Sequence, residues 1–199
     1  MSLIGFRSQN HPQQDPRDDV DDRGTTPELF NPLHERFRFT LDVAAAAHNA
    51  KCARYFTRDD DGLSKPWAGE RVWCKPPYSA IEPWVRKAWA EVQDECPLAV
   101  LLLPANRTEQ TWWQELVEPY RDRFRSRMSV EFLPGRWRFI KAGATRVGPN
   151  ERPPFGIAVV VLRYKPECPL GACTGCRYCE PLDGPPPSAQ TALALGDIR

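Results

Sequence analysis

Residues 72–104 read VWCKPPYSAIEPWVRKAWAEVQDECPLAVLLLP. Val72-Trp73-Cys74 is a short apolar strand that runs into Pro76-Pro77. Two adjacent prolines fix φ and lack donors, so a regular helix or central strand stops there. From Glu82 to Glu95, Trp84, Val85, Ala88, Trp89 and Val92 recur at helical spacing and form one apolar face. Leu98–Leu103 is then a continuous apolar run closed by Pro104, the pattern of a buried strand.

The same alternation extends outward. Phe39–Val43 reads as a strand ending at the Asp42 carboxylate, and Val130–Leu133 and Ile157–Leu162 are further strand candidates. Thr111-Trp112-Trp113-Gln114 has the spacing of a capping box at a helix start. Strands alternating with helices across short loops predict an α/β fold, a single sheet packed by helices on both faces. Ligands of such sheets sit at the carboxyl ends of strands, which directs attention to Asp42 and to the segment after Cys74.

Composition narrows the function classes. With 199 residues, 41% of them hydrophobic, the chain suits one ordinary domain with a small appendage. No apolar run approaches the roughly 18 residues of a membrane span. The first residues lack the apolar core of a signal peptide, so a cytoplasmic protein with no membrane partner is expected. A net charge of +1 excludes a uniformly basic coat for nucleic acid but leaves room for a local basic face. The 21 prolines disfavour a coiled coil or helical bundle. Residues 1–24 are rich in Gln, Pro and Asp and read as a mobile arm. Residues 25–166 form the globular domain, and 167–199 change to a cysteine cluster followed by a Gly-Pro-rich tail.

Lys75-Pro76-Pro77-Tyr78-Ser79 lies between a strand and a helix. The prolines hold the carbonyls of this turn in set directions, and Tyr78 can present a flat face beside them. A rigid carbonyl next to an aromatic platform is what a site needs to hold a planar base. The plain alternative is a proline-rich turn with a packing tyrosine. The order of the surrounding segments separates the two. Thr26-Pro27-Glu28-Leu29-Phe30 comes first, then Phe39–Ala45, Asn49–Thr57, Asp60-Asp61-Gly62-Leu63, Trp67-Ala68-Gly69, Val72–Ser79 and Trp84–Ala88. Over about residues 25–163 this series resembles the phage DNA N-6-adenine-methyltransferase family, the Dam-like enzymes of bacteriophages and prophages.

That resemblance implies a Rossmann-like fold that uses S-adenosylmethionine to methylate the exocyclic amine of adenine in phage or host DNA, in the bacterial cytoplasm. Pro76, Pro77 and Tyr78 match an Asp/Asn/Ser-Pro-Pro-aromatic active-site motif. In it, the first side chain and the first proline's carbonyl accept the amine hydrogens, and the aromatic ring stacks on a flipped base. Thr26-Pro27 match an element that holds the methionine end of the cofactor. Asp42 and Ala44 lie in its first cofactor loop, where Ala44–Ala47 replace the usual glycine. Asp59, Asp60 and Asp61 are the three candidates for the carboxylate that holds the ribose hydroxyls. The departure is Lys75, where the motif has Asn or Asp. An ammonium is donor-only and cannot accept a hydrogen from the amine. Three readings follow: an inactive or engineered variant, an enzyme that uses Lys75 differently, and a cofactor- and DNA-binding module without catalysis. The favoured expectation is a methyltransferase fold with weak or absent adenine methylation.

From Pro119 to Arg146 eight basic residues face two acidic ones. Arg121, Arg123, Arg125, Arg127, Arg136 and Arg138 are the candidate phosphate contacts, and the alternative is a solvated strand face. Cys168, Cys173, Cys176 and Cys179 are spaced C-x4-C-x2-C-x2-C, which suits a zinc site; an iron–sulfur cluster or free thiols are the alternatives. Cys52, Cys74 and Cys96 read as small core residues.

Overall fold

A computed structural model describes residues 20–122, 126–148 and 153–164. Its strands are β1 (Gly24–Thr25), β2 (Leu41–Asp42), β3 (Arg54–Tyr55), β4 (Arg71–Cys74), β5 (Leu98–Pro104), β6 (Met128–Phe132), β7 (Phe139–Ile140) and β8 (Ile157–Arg163). The helices are α1 (Pro27–Phe37), α2 (Glu82–Asp94) and α3 (Thr111–Leu116).

Six strands form one sheet in the order β3-β2-β4-β5-β8-β6. β3, β2, β4 and β5 run parallel, and β8 runs antiparallel between β5 and β6. The central strands carry apolar side chains on both faces because both faces are covered. Ala99, Leu101 and Leu103 of β5 and Ala158, Val160 and Leu162 of β8 pack with Trp84, Val85, Ala88 and Trp89 of α2 and Trp113 of α3. Leu98, Val100, Leu102, Ile157, Val159 and Val161 face the other way and pack with Leu29, Phe30, Leu33 and Phe37 of α1. The expected α/β sheet with helices on both faces is therefore present.

α1 starts on Pro27, whose missing N–H is no loss at a first helical position, and stops at Arg38 in the left-handed region (φ 54°). The capping-box reading at Thr111 is corrected. Gln110 is the N-cap of α3, with no side-chain cap, and Thr111 already lies inside the helix. The mobile-arm reading is corrected for residues 20–24. Val20 and Asp21 are helical, and β1 pairs antiparallel with β7, Gly24 opposite Ile140 and Thr25 opposite Phe139. Residues 1–19 of the arm and the whole of 167–199 lie outside the described residues. Among the described residues no helix is long and apolar enough to cross a membrane.

The chain order dictates where a ligand can enter. From β2 the chain places β3 on one side, then crosses back to place β4 on the other. The loops leaving β2 and β4 therefore diverge and leave a crevice at their carboxyl ends. Asp42 and Lys75 stand there.

Candidate functional site

An open cleft of about 190 Å3 lies in this crevice. Asp42 closes one side. It ends β2, is 3% exposed, and turns its carboxylate back on the following loop. Oδ1 accepts the Ala44 N–H (3.3 Å) and Oδ2 the Lys51 N–H (3.0 Å). Burial pushes its carboxyl up to about 6, against the pull of those amides and of the Lys51 and Lys75 charges. Asp42 thus both shapes the loop and sets a buried negative charge in the cleft wall.

The loop after Asp42 has its amides engaged inside the fold. Ala45 N–H donates to the Phe56 carbonyl (3.0 Å) and Ala46 N–H to Asn49 Oδ1 (2.7 Å). The glycine this loop lacks is supplied from across the cleft. A Cβ on Gly62 would sit 2.1 Å from the Val43 carbonyl oxygen, so only glycine admits this approach. Of the three candidate acids, Asp61 lines the cleft; Asp59 and Asp60 do not. Asp60 accepts from Thr57 instead, through its amide (2.9 Å) and hydroxyl (2.7 Å).

Thr26 is the N-cap of α1, and its carbonyl accepts the Leu29 and Phe30 amides. Neither it nor Pro27 lines the cleft; Thr25 does. The Thr25 hydroxyl is buried without a hydrogen-bond partner among the described residues. Such a group has a desolvation cost that a ligand atom would relieve. The cleft is lined by Asp21, Asp22, Asp42 and Asp61 and by Arg23, Lys51, Arg58 and Lys75, which with the Thr25 hydroxyl suits a polar small molecule carrying charge of both signs.

The other side of the cleft is the turn after β4. Lys75 is 8% exposed, and its Nζ donates to the Asp21 carbonyl at 3.2 Å. The ammonium lies 5.0 Å from the Tyr78 ring centre and 5.6 Å from that of Phe139. Burial lowers its pKa to about 8, while the nearby Asp21 and Asp42 charges oppose the fall. Tyr78 meets Phe139 and Phe155 edge-on, with centres 6.2 and 5.8 Å apart. Its hydroxyl is also buried without a partner, and burial pushes its pKa upward. Pro76 is buried and Pro77 lines the cleft.

The structure brings Lys75, Pro77, Asp42, Ala44 and Asp61 to one cleft. A family model for DNA N-6-adenine-methyltransferase (Dam) matches residues 13–167. The chain belongs to this family. Over 101 residues it is 31% identical to the DNA N-6-adenine-methyltransferase of Escherichia phage T1, covering 49% of this chain and 42% of that protein. Over 79 residues it is 32% identical to the enzyme of the same name from Haemophilus phage HP1, covering 40% and 44%. Each match therefore spans less than half the length of the relative.

Within this Dam-family chain the basic stretch divides. β6 runs parallel to β5, so its two ends lie at opposite edges of the sheet. Arg121 and Arg127 sit before β6, away from the cleft. Arg121 pairs with Glu118 (2.8 Å) and Asp122 (3.4 Å), and Arg127 donates to the Val92 carbonyl (2.9 Å). Arg136 and Arg138 follow β6 at the cleft end, beside Phe139. Arg123 and Arg125 lie outside the described residues, as do Cys168, Cys173, Cys176 and Cys179, the zinc candidates. Among the described residues no group of three or more His, Cys, Asp or Glu is placed to hold a metal. Cys74 and Cys96 are buried and Cys52 half-buried. Trp112 and Trp113 are buried in helix packing.

Residue order alone did not reveal Asp21, Thr25, Asn49, Lys51 or Gly62 as lining the cleft. The signal available for Gly62 was a glycine directly after an acidic run. Asp21 sits in a run that reads as a solvated arm.

Proposed function

We propose that the chain is a DNA adenine N6-methyltransferase on a Rossmann-like fold, taking its methyl group from S-adenosylmethionine. One observation carries the reading. In a Dam-family chain, Lys75 and Pro77 of the Lys-Pro-Pro-Tyr turn line one cleft with Asp42 and its loop, at the sheet's switch point. Asp42, Thr25 and Asp61 are the residues that would hold the cofactor, whose sulfonium supplies an activated methyl. Thr26 and Pro27 would act behind them, by fixing the start of α1. Tyr78 offers its face to a base flipped out of the helix, and the Pro76 carbonyl accepts one amine hydrogen. Purified protein should move label from S-adenosylmethionine to DNA, with the methyl on adenine; label on cytosine, or none, would count against the reading.

Lys75 favours a second reading, a DNA- and cofactor-binding module without catalysis, because a buried ammonium stands where the motif's acceptor belongs. Cofactor binding without methyl transfer, in this chain and in Lys75→Asn alike, would select it.

Asp42 makes cofactor binding pH-dependent. Its folded-state pKa of about 6 lies above the ordinary 3.8. Below about 6 it is neutral and cannot attract a cation. Affinity for S-adenosylmethionine should rise by up to about tenfold per pH unit from 5 towards 6 and level off by 7. Asp42→Asn should flatten that rise, as read by calorimetry; an unchanged slope would remove Asp42 from the cofactor site.

The split arginines give a test on DNA. Arg136→Ala with Arg138→Ala should weaken DNA binding and lower the log–log salt slope by about 2, close to one per lost phosphate contact. Arg121→Ala should change neither. Equal effects at both ends of β6 would contradict the assignment.

A further inference from the structure

The Lys-Pro-Pro-Tyr turn lacks the acceptor its first side chain should provide, yet a carboxylate lies across the same turn from another part of the chain. Asp21 accepts the Ser79 N–H through Oδ1 (3.2 Å) and the Ser79 hydroxyl through Oδ2. Its own carbonyl accepts Lys75 Nζ (3.2 Å). Asp21 therefore bridges both ends of the five-residue turn, and it lines the cleft with Lys75 and Pro77. Its neighbours fix it there. Asn49 Nδ2 donates to the Asp22 carbonyl (2.9 Å), His48 pairs with the Asp22 carboxylate (3.4 Å), and β1 is tied to β7 two residues later. Each carboxylate oxygen has a second lone pair, so the two bonds to Ser79 leave acceptor capacity unused. Lys75 has the opposite character: three donors, no acceptor, and a carbonyl to hold.

We propose that Asp21 is the catalytic carboxylate of this chain, taking the place of the missing Asn or Asp at position 75, and that Lys75 is a positioning residue that holds Asp21 at the turn. The assignment rests on the methyltransferase reading above. The substrate group is the exocyclic amine of adenine. One amine hydrogen bonds to the Asp21 carboxylate and the other to the Pro76 carbonyl, which localises the nitrogen lone pair. That lone pair forms the new N–C bond as the methyl's C–S bond breaks, with the C–S pair going to sulfur as a neutral thioether. The proton lost by the nitrogen passes to the Asp21 carboxylate and from there to water.

The test uses the full chain with Asp21→Ala, Asp21→Asn, Lys75→Asn and the Asp21→Ala/Lys75→Asn pair. Single-turnover methyl transfer is measured beside calorimetric cofactor binding. Asp21→Ala should slow transfer by about 100-fold or more, the range for losing a positioned acid–base group. Its cofactor affinity should stay within about threefold, because the effect lies in the chemical step. Asp21→Asn, which keeps an acceptor but not a base, should fall between and decides the matter if the alanine variant fails to fold. In the Lys75→Asn background the loss of Asp21 should cost less than about threefold, since the motif's own acceptor is restored. A readout without cofactor separates an acceptor from a structural prop. The parent should bind oligodeoxyadenylate about 2- to 10-fold more tightly than the matching purine strand that lacks the amine, the range for one hydrogen bond. Asp21→Ala should lose that preference. Transfer unchanged in Asp21→Ala overturns the assignment alone, and transfer increased by it marks Asp21 as a plug and does the same. An inactive parent with an active Lys75→Asn also overturns it, while leaving the scaffold a methyltransferase. Inactivity of both on every DNA overturns the methyltransferase reading and this assignment with it.

Discussion

Lys75→Asn should raise methyl transfer to adenine by about 10- to 100-fold. A charged donor beside the amine opposes the positive charge that grows on nitrogen as the methyl arrives, whereas an amide oxygen accepts a hydrogen and favours it. One preorganised group of this type is worth about 10²–10³ in rate where it has been removed from other enzymes, and Asp21 already supplies part of that here. Stability should move as well. Burial lowers the folded-state pKa of Lys75 from 10.5 to about 8, so at pH 7 keeping its charge costs about 3 kcal/mol. The sign follows from proton counts. Between pH 8 and 10.5 the unfolded chain binds more protons at this residue, so the parent gains stability as pH rises through that window. Lys75→Asn should abolish that gain. Below pH 8 it should be the more stable protein, by less than the full amount because the shorter side chain leaves a gap beside Tyr78 and Phe139. Equal rates and parallel stability curves for the two proteins would refute both arguments.

Gly62→Ala should destabilise the fold by about 2–4 kcal/mol. The added methyl would lie 2.1 Å from the Val43 carbonyl oxygen and 3.2 Å from the Val43 carbonyl carbon. Both are backbone atoms. Val43 is held by its own N–H, which donates to the Trp73 carbonyl (3.1 Å), and Gly62 by its carbonyl, which accepts Trp67 Nε1 (3.0 Å). Neither side can retreat without breaking a bond to the core. The melting temperature should drop by roughly 5–15 °C for a chain of this size. Cofactor affinity should fall with it, because Val43 and Gly62 both line the cleft. A melting temperature within about 1 °C of the parent would show that the wall yields.

The central sheet was legible because its strands are long or its periods clean. Leu98–Leu103 became Leu98–Pro104, and the Trp84-to-Val92 face marked α2 to within one residue. β1, β3 and β7 were not legible, since two residues carry no period. Position 75 stood out in the sequence, but its consequence did not. The composition of residues 18–22 suggests solvation, and it takes the pairing of Gly24–Thr25 with Phe139–Ile140, together with the Asn49 and His48 contacts to Asp22, to bring Asp21 to the turn. Thr25 and Thr26 are adjacent and chemically alike; which of them lines the cleft depends on where α1 starts. The basic stretch misled for a related reason. Arg127 and Arg136 are close in sequence, yet the five residues of β6 between them carry the chain roughly 17 Å across the sheet.

The proposed function requires that this Dam-family chain methylate adenine. DNA from a methylation-deficient host expressing the chain, digested to nucleosides and resolved by mass spectrometry, tests it most directly. N6-methyldeoxyadenosine should stand above the level of the empty-vector host, and higher still with Lys75→Asn. Unmodified deoxyadenosine from both proteins, each folded and present in the cell, would contradict it.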